Sequence, residues 1–494
     1  MVPILIAIVY FVFFGVYFGM KSKKKLTGSK DFFTASNRLG WFAVMCSFTL
    51  APLGGGHTTS LIEQQGFMGV SVLWWSILTG SVFVPIFMYW FGPWFRKLKV
   101  DTFPQALGKI FGPKIKIVNT CLAPAGWLGI TMAEILGIAT VIYTLTGGRL
   151  AYAPYCVLIA GALSAIYVLF GGMLQASYMN IINAVVLLGG GFLSIIYMGN
   201  TIPGGYASVS NFYESLGEGW RMNLFNFTPT VVFGIIIPVI VLNLFSVSSE
   251  HALYQPILAA KDEASIRKGA ILGGLINSFA STPFVVLGIT ALAVPSVAAA
   301  IGPNVRLSVA ELALQLMPPW LIGILMCSLL AALLSTSSGM ILAIAHVVTD
   351  DIIKPIRGDK MSEKNHVRLS RWMVVIVTAA ACLPALKVTI LMGLFFWCFS
   401  LSLPIFINYL IGLLWKINRK AAWINLICSV LVNFWWTFAT PSWCPPQFVL
   451  SFYPVFAVSV VLGIILNIAL PGEKGMLRKI KDEENLIGKV QIQA

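Results

Sequence analysis

The stretch Ala331-Ala-Leu-Leu-Ser-Thr-Ser-Ser-Gly-Met340 sets four consecutive hydroxyls inside an apolar segment that runs from Trp320 to about Val348. A bilayer interior offers those hydroxyls no water, so each must find a partner within the protein. Their oxygens, with the carbonyls they loosen, are the hard ligands a small alkali cation takes. A second polar stretch, Ala51-Pro-Leu-Gly-Gly-Gly-His-Thr58, breaks another apolar segment. Two such breaks suggest an ion-coupled transporter built on discontinuous helices rather than a packed bundle.

The rest of the chain agrees with a membrane setting. Of its 494 residues, 58% are hydrophobic and 10% charged, against roughly 25% charged in soluble domains. Apolar runs of about 20 residues, the length needed to cross about 30 Å of hydrocarbon, recur along it. They fall at 2–20, 41–65, 69–95, 117–146, 150–170, 176–199, 227–249, 269–294, 319–348, 371–386, 388–415, 421–440 and 450–470. The fold class is therefore an all-α polytopic membrane protein with about 13 transmembrane helices. A transmembrane β-barrel would need alternating strands of about ten residues, a pattern the sequence lacks. The first run has no basic leader and no small-residue cleavage site, and it reads as an uncleaved span.

The net charge of +15 follows from topology. Basic clusters at 21–38, 96–116, 261–268, 354–371, 416–420 and 474–489 hold 29 of the 33 Lys and Arg. Placing the N-terminus outside puts all six on one face, and the positive-inside rule makes that face, and the C-terminal tail, cytoplasmic in the cell membrane. Nucleic acid is not an expected partner; the lipid bilayer is. Seven of the eight cysteines lie in apolar runs without ligand spacing and read as small core residues. No nucleophile–base pair, metal cluster or phosphate loop suggests an enzyme. Oligomeric state is not legible.

Five stretches carry a resemblance along nearly the whole chain: Asp31-Phe-Phe-Thr-Ala-Ser-Asn-Arg-Leu-Gly40, Thr102-Phe-Pro-Gln-Ala-Leu107, Phe170-Gly-Gly-Met173, Gln255-Pro-Ile-Leu-Ala-Ala-Lys-Asp262, and Ala331 to Ile352. Their order and topological depth resemble the sodium:solute symporter family, which includes bacterial proline, pantothenate, sialic acid and sugar symporters. The resemblance implies a LeuT-like core of two inverted five-helix repeats, with Na⁺ as the transported coupling ion and a small polar solute as cargo. On that pattern residues 1–40 form an extra helix and cytoplasmic linker and 41–415 the ten-helix transport core. Residues 416–470 form two further helices and 471–494 a cytoplasmic tail. Each repeat would begin with a broken helix, at Gly54–Gly56 and at Ser246-Val-Ser-Ser249.

The resemblance also assigns residues. Na⁺ would take the Ser335 and Thr336 hydroxyls, the Ala332 carbonyl, and the Ala51 and Gly54 carbonyls at the first break; close helix packing is the competing reading of the same small residues. A second Na⁺ site in some members uses an aspartate where this chain has Asn180, which favours one Na⁺ per cycle. For the solute, Glu134 is expected to bind a cationic group or carry a proton, with a purely structural pairing as the alternative. His57 and Thr58 beside the break, and Phe396 and Trp397 in the eleventh run, complete the expected solute site. His251 and His366 read as loop-side and solvated. Sugar-transporting members carry an aromatic gate where this chain has Ser246 and Val247, so a hexose is not expected. H⁺ coupling through Glu134 and a transporter-like sensor are the alternative functions.

Overall fold

A computed structural model describes residues 1–483 except 25, 27, 247–248, 303, 358–361, 388–390 and 446–447; for 55–57, 152–153, 357 and 391–395 it describes the backbone alone. Among the described residues ten helices are long and apolar enough to cross a membrane. Three shorter apolar helices, Trp41–Leu53, Pro154–Leu169 and Pro229–Phe245, occupy the other expected runs. Two of the three are short for a local reason: they are first halves of helices that break.

The first break follows from its sequence. Helix α2 follows α1 (Val2–Lys23) and covers Trp41–Leu50. It tightens into a 3-10 turn over Ala51–Leu53, where Pro52 cannot donate a backbone hydrogen bond. Gly54 then leaves helical geometry at φ −42°, ψ 160°, and α3 (Gly55–Met68) starts anew. The chain continues through α4 (69–97), α5 (Pro113–Leu145), α6 (Val157–Leu169) and α7 (Gly172–Thr201). The second break is alike: α8 (Pro229–Phe245) ends at Ser246, and α9 (His251–Ala259) resumes after it. Then follow α10 (Glu263–Ala293), α11 (Pro319–Val347), α12 (Glu363–Ala385), α13 (Leu391–Leu410), α14 (Arg419–Phe438) and α15 (Phe452–Ala469).

Cap residues at the basic face set several helix starts. Asp262, Ser362 and Asn418 accept backbone N–H groups from the first turns of α10, α12 and α14. The most apolar window of α11 is 94% buried, against 22% in α1 and 28% in α15, so α11 is the axis and the other two are peripheral. Helices α5 and α7 pack directly on α11, and α2 packs on α10. At that last contact Gly273 approaches so closely that an added Cβ would lie 2.5 Å from the Met45 carbonyl oxygen, a small-residue contact of the kind membrane helices use. A parallel bridge between Leu39 and Ala260 ties the entry of α2 to the exit of α9.

Candidate functional site

The four hydroxyls of α11 divide into two pairs. Ser337 bonds Ser164 on α6 at 3.1 Å, and Ser338 donates to the Ser335 carbonyl at 2.9 Å. Ser337 thus links α11 to α6, and Ser338 bonds within its own helix. Ser335 and Thr336 face the first break instead. The Thr336 hydroxyl donates to the Leu50 carbonyl at 3.3 Å, and Ser335 donates to the Asn180 side-chain oxygen at 2.7 Å. Asn180 in turn donates to the Ser47 hydroxyl on α2 at 3.2 Å. Oxygens from α2, α7 and α11 thus converge at one buried point, with Ala332 one turn before Thr336 on the same helix. Asn180, expected only at a doubtful second site, bonds Ser335 and Ser47 at this point.

The carbonyls differ from expectation in one respect. Gly54 does not leave its carbonyl free: that oxygen accepts the Thr58 N–H at 2.8 Å, the first bond of α3. The carbonyl that meets Thr336 belongs to Leu50, one turn earlier, because Pro52 and the 3-10 turn displace the helix there. Thr49 is held from the opposite side, its carbonyl accepting from Asn277 on α10 at 2.8 Å. Thr58 turns its hydroxyl back to the Leu53 carbonyl at 3.2 Å and so completes the break rather than lining a cavity. The His57 side chain and Val247 lie outside the described residues.

Next to this point is a central cavity lined by Ala51, Pro52 and Gly54 of the break, Ile130 and Glu134 of α5, and Thr336 and Met340 of α11. Trp75, Asn243, Glu250 and Phe399 close it. Its volume, about 30 Å³, suits roughly two waters, so a solute requires it to widen. Gly54 stands between the α11 hydroxyls and the cavity wall: a Cβ there would overlap the Glu134 carboxylate and lie 2.8 Å from the Thr336 methyl. Space, not backbone angle, demands glycine at this position.

Glu134 is fully buried at the cavity wall. Phe396 stands one layer back, its ring 5.8 Å from Trp75, which lines the cavity. Trp397 faces away and packs edge-on against Phe434 of α14 at 5.7 Å. The aromatic that α13 contributes to the cavity is Phe399. Sequence reasoning missed Glu250, because it sits beside the second break and reads as loop. No local signal in the sequence marks it; the return of the chain into α9 is what buries it.

The histidines need correction too. His251 and His366 are buried, not solvated. His251 bonds His346 at 2.9 Å, and His366 bonds Asp350 at 2.9 Å. The Phe33 ring stacks on His346 at 4.2 Å. Beside them Asp351 pairs with Lys116 at 2.9 Å and accepts from Gln105. The second half-helix α9 folds against α11, so what reads as a loop is packed helix.

Known proteins share this organisation. The model of the sodium:solute symporter family matches residues 32–428. A sodium/glucose cotransporter of Vibrio parahaemolyticus is 23% identical over 457 residues, covering 84% of this chain and 81% of its own. A sodium/myo-inositol cotransporter 2 of Rattus norvegicus is 23% identical, covering 87% and 69%. Among solved structures, the substrate-bound outward-open state of a Na⁺-coupled sialic acid symporter superposes with a TM-score of 0.78 at 14% identity, covering 96% of this chain and 99% of that one. The transporter MhsT in complex with L-phenylalanine superposes at 0.52 and 15% identity, covering 86% and 97%. The fold is the LeuT-like one.

Proposed function

The chain belongs to the sodium:solute symporter family, and from that premise we propose that its Na⁺ site and its solute cavity meet at Gly54. It is a multi-pass membrane transporter that couples solute movement to Na⁺. The observation that carries the site reading is the Thr336 hydroxyl reaching across to the Leu50 carbonyl at the helix break. Hydroxyl and carbonyl oxygens at such a break can turn their lone pairs to a cation without first finding new backbone partners.

In this reading Na⁺ takes the Ser335 and Thr336 hydroxyls, the Leu50, Ala51 and Ala332 carbonyls, and the Asn180 amide oxygen. Gly54 contributes close approach more than its carbonyl, which α3 already uses. Bound Na⁺ ties α2 and α7 to α11. Thr336 and Ala51 also line the solute cavity, so ion and solute each order the wall the other needs. That is a reciprocal coupling free energy, the requirement for symport. The solute sits against Glu134, with Phe396 supporting it through Trp75. Uptake proceeds inward by alternating access across the cell membrane, with the N-terminus outside and the tail cytoplasmic.

The test is the melting temperature of purified protein in NaCl against KCl at equal ionic strength. Selective stabilisation by Na⁺, growing with its concentration, is the expected result. Equal melting in both salts would remove the proposed site.

A further inference from the structure

A second cavity lies at the basic face, where α1 ends, the chain turns toward α2, and α12 begins. Lys23 of α1, Gly28 of the linker, and Glu363, Lys364, Arg368 and Arg371 of α12 line it, around a volume of about 630 Å³. Four cations against one carboxylate leave it at +3. That carboxylate is already engaged: Glu363 accepts the Ser29 N–H at 2.9 Å and the Ser29 hydroxyl at 3.2 Å. Nearby acids are engaged as well, Asp31 with Arg38 and Asp350 with His366. Among the described residues none of the four cations forms an ion pair. The adjoining positions outside the described residues carry Lys25, Asp359 and Lys360. Asp359 alone, turned into the cavity, would lower its charge only from +3 to +2. Cations gathered in a recess focus a field that draws an anion.

Arg371 is anchored at the inner end. It donates to the Phe170 carbonyl, at the end of α6, at 3.1 Å, and its Nε–H is buried with no partner among the described residues. A guanidinium fixed in this way presents its planar fork to phosphate oxygens at little further cost in side-chain order. The flanks say what the phosphate belongs to. Trp372 and Ile376 follow Arg368 by one and two turns on the same face of α12, and all three are exposed. On α1, Tyr17 and Met20 are exposed within two turns of Lys23. A free phosphate gains nothing from those apolar surfaces, whereas acyl chains cover them. Aromatic rings such as Trp372 are favoured where headgroups meet hydrocarbon.

We infer that this cavity is a binding site for an anionic phospholipid. Its phosphate sits among Lys23, Lys364, Arg368 and Arg371, and its acyl chains lie along the exposed faces of α12 and α1. Basic recesses between transmembrane helices suit such headgroups. The bound lipid joins α1, the linker to α2, and α12. The site is separate from the ion and solute sites, so it stands or falls independently of the symport reading.

The test is the melting temperature of the purified full chain in detergent micelles, titrated with phosphatidylglycerol, phosphatidylcholine, glycerol phosphate or inorganic phosphate. Phosphatidylglycerol is expected to stabilise the wild type, with phosphatidylcholine needing at least tenfold more lipid for the same shift. The two soluble phosphates should give no comparable shift at the same concentration. Lys364→Gln/Arg368→Gln changes two exposed residues and should raise the phosphatidylglycerol needed for half of the full shift at least tenfold. Lys97→Gln/Lys114→Gln removes the same charge from exposed positions elsewhere on the basic face and should leave it unchanged. Equal stabilisation by the two lipids, or by neither, overturns the inference. So does an unchanged response in the Lys364/Arg368 variant, or an equal loss in both double variants, which would mark general attraction to a basic surface. Protection by glycerol phosphate or inorganic phosphate as strong as by phosphatidylglycerol would make the ligand a free phosphate and overturn the lipid assignment. The wild-type comparison of lipids decides even where a variant folds poorly.

Discussion

Ser335 and Thr336 differ from Ser337 and Ser338 only in which side of α11 they occupy, and that side decides their chemistry. The first two reach Asn180 and Leu50, and the last two bond within the packing. Removing both facing hydroxyls with Ser335→Ala/Thr336→Ala should weaken Na⁺-dependent stabilisation at least tenfold, about 1.4 kcal/mol. Wild-type Na⁺ dependence of melting in that double variant would put the ion elsewhere. Glu134 invites a different substitution, because its shape matters to Gly54 as well as its charge. Glu134→Gln keeps the shape, so it should insert, fold and respond to Na⁺ while losing solute uptake. Poor folding of that variant would mark Glu134 as a structural partner, and normal uptake would remove it from the site.

At the scale of elements, the break between α2 and α3 is where the proposed ion and solute sites join. Pro52 withholds a donor, the 3-10 turn shifts the Leu50 carbonyl toward Thr336, and Gly54 lets Glu134 approach. Gly54→Ala adds one methyl whose position overlaps the Glu134 carboxylate. Overpacking of this kind costs about 1–3 kcal/mol. The variant should lower the melting temperature and reduce both Na⁺ stabilisation and uptake, where Glu134→Gln reduces uptake alone. Retention of both responses, measured in the same two assays, would mean that the break tolerates a side chain. The sequence announced this break through its glycines and pointed to the Ala51 and Gly54 carbonyls; the carbonyl that the Thr336 hydroxyl reaches is Leu50. Glycine count shows that a helix stops; it does not show where the displaced oxygens point.

For the whole molecule, the buried axis is α11, and the basic loops mark one face. That face also holds the His251–His346 and His366–Asp350 bonds and the Lys116–Asp351 pair. Asn211 and Lys364 are exposed near opposite expected faces. Single cysteines there, on a cysteine-free background, should label with a membrane-impermeant reagent in intact cells at 211 and only after lysis at 364. Labelling of position 364 in intact cells would reverse the orientation.

By itself the sequence determined the membrane class, the positions of the apolar runs and both helix breaks. These are local properties: hydropathy, helix-breaking residues and charge are carried by consecutive positions. Only the tertiary structure decided that Asn180 joins the hydroxyls, that Phe399 rather than Trp397 reaches the cavity, and that Glu250 and His251 are buried. The first depends on how α7 packs against α11, and the others on how α9 and α13 fold back against α11 and α5. A residue next to a break reads as loop until its helix is docked, because burial is set by neighbours distant in sequence.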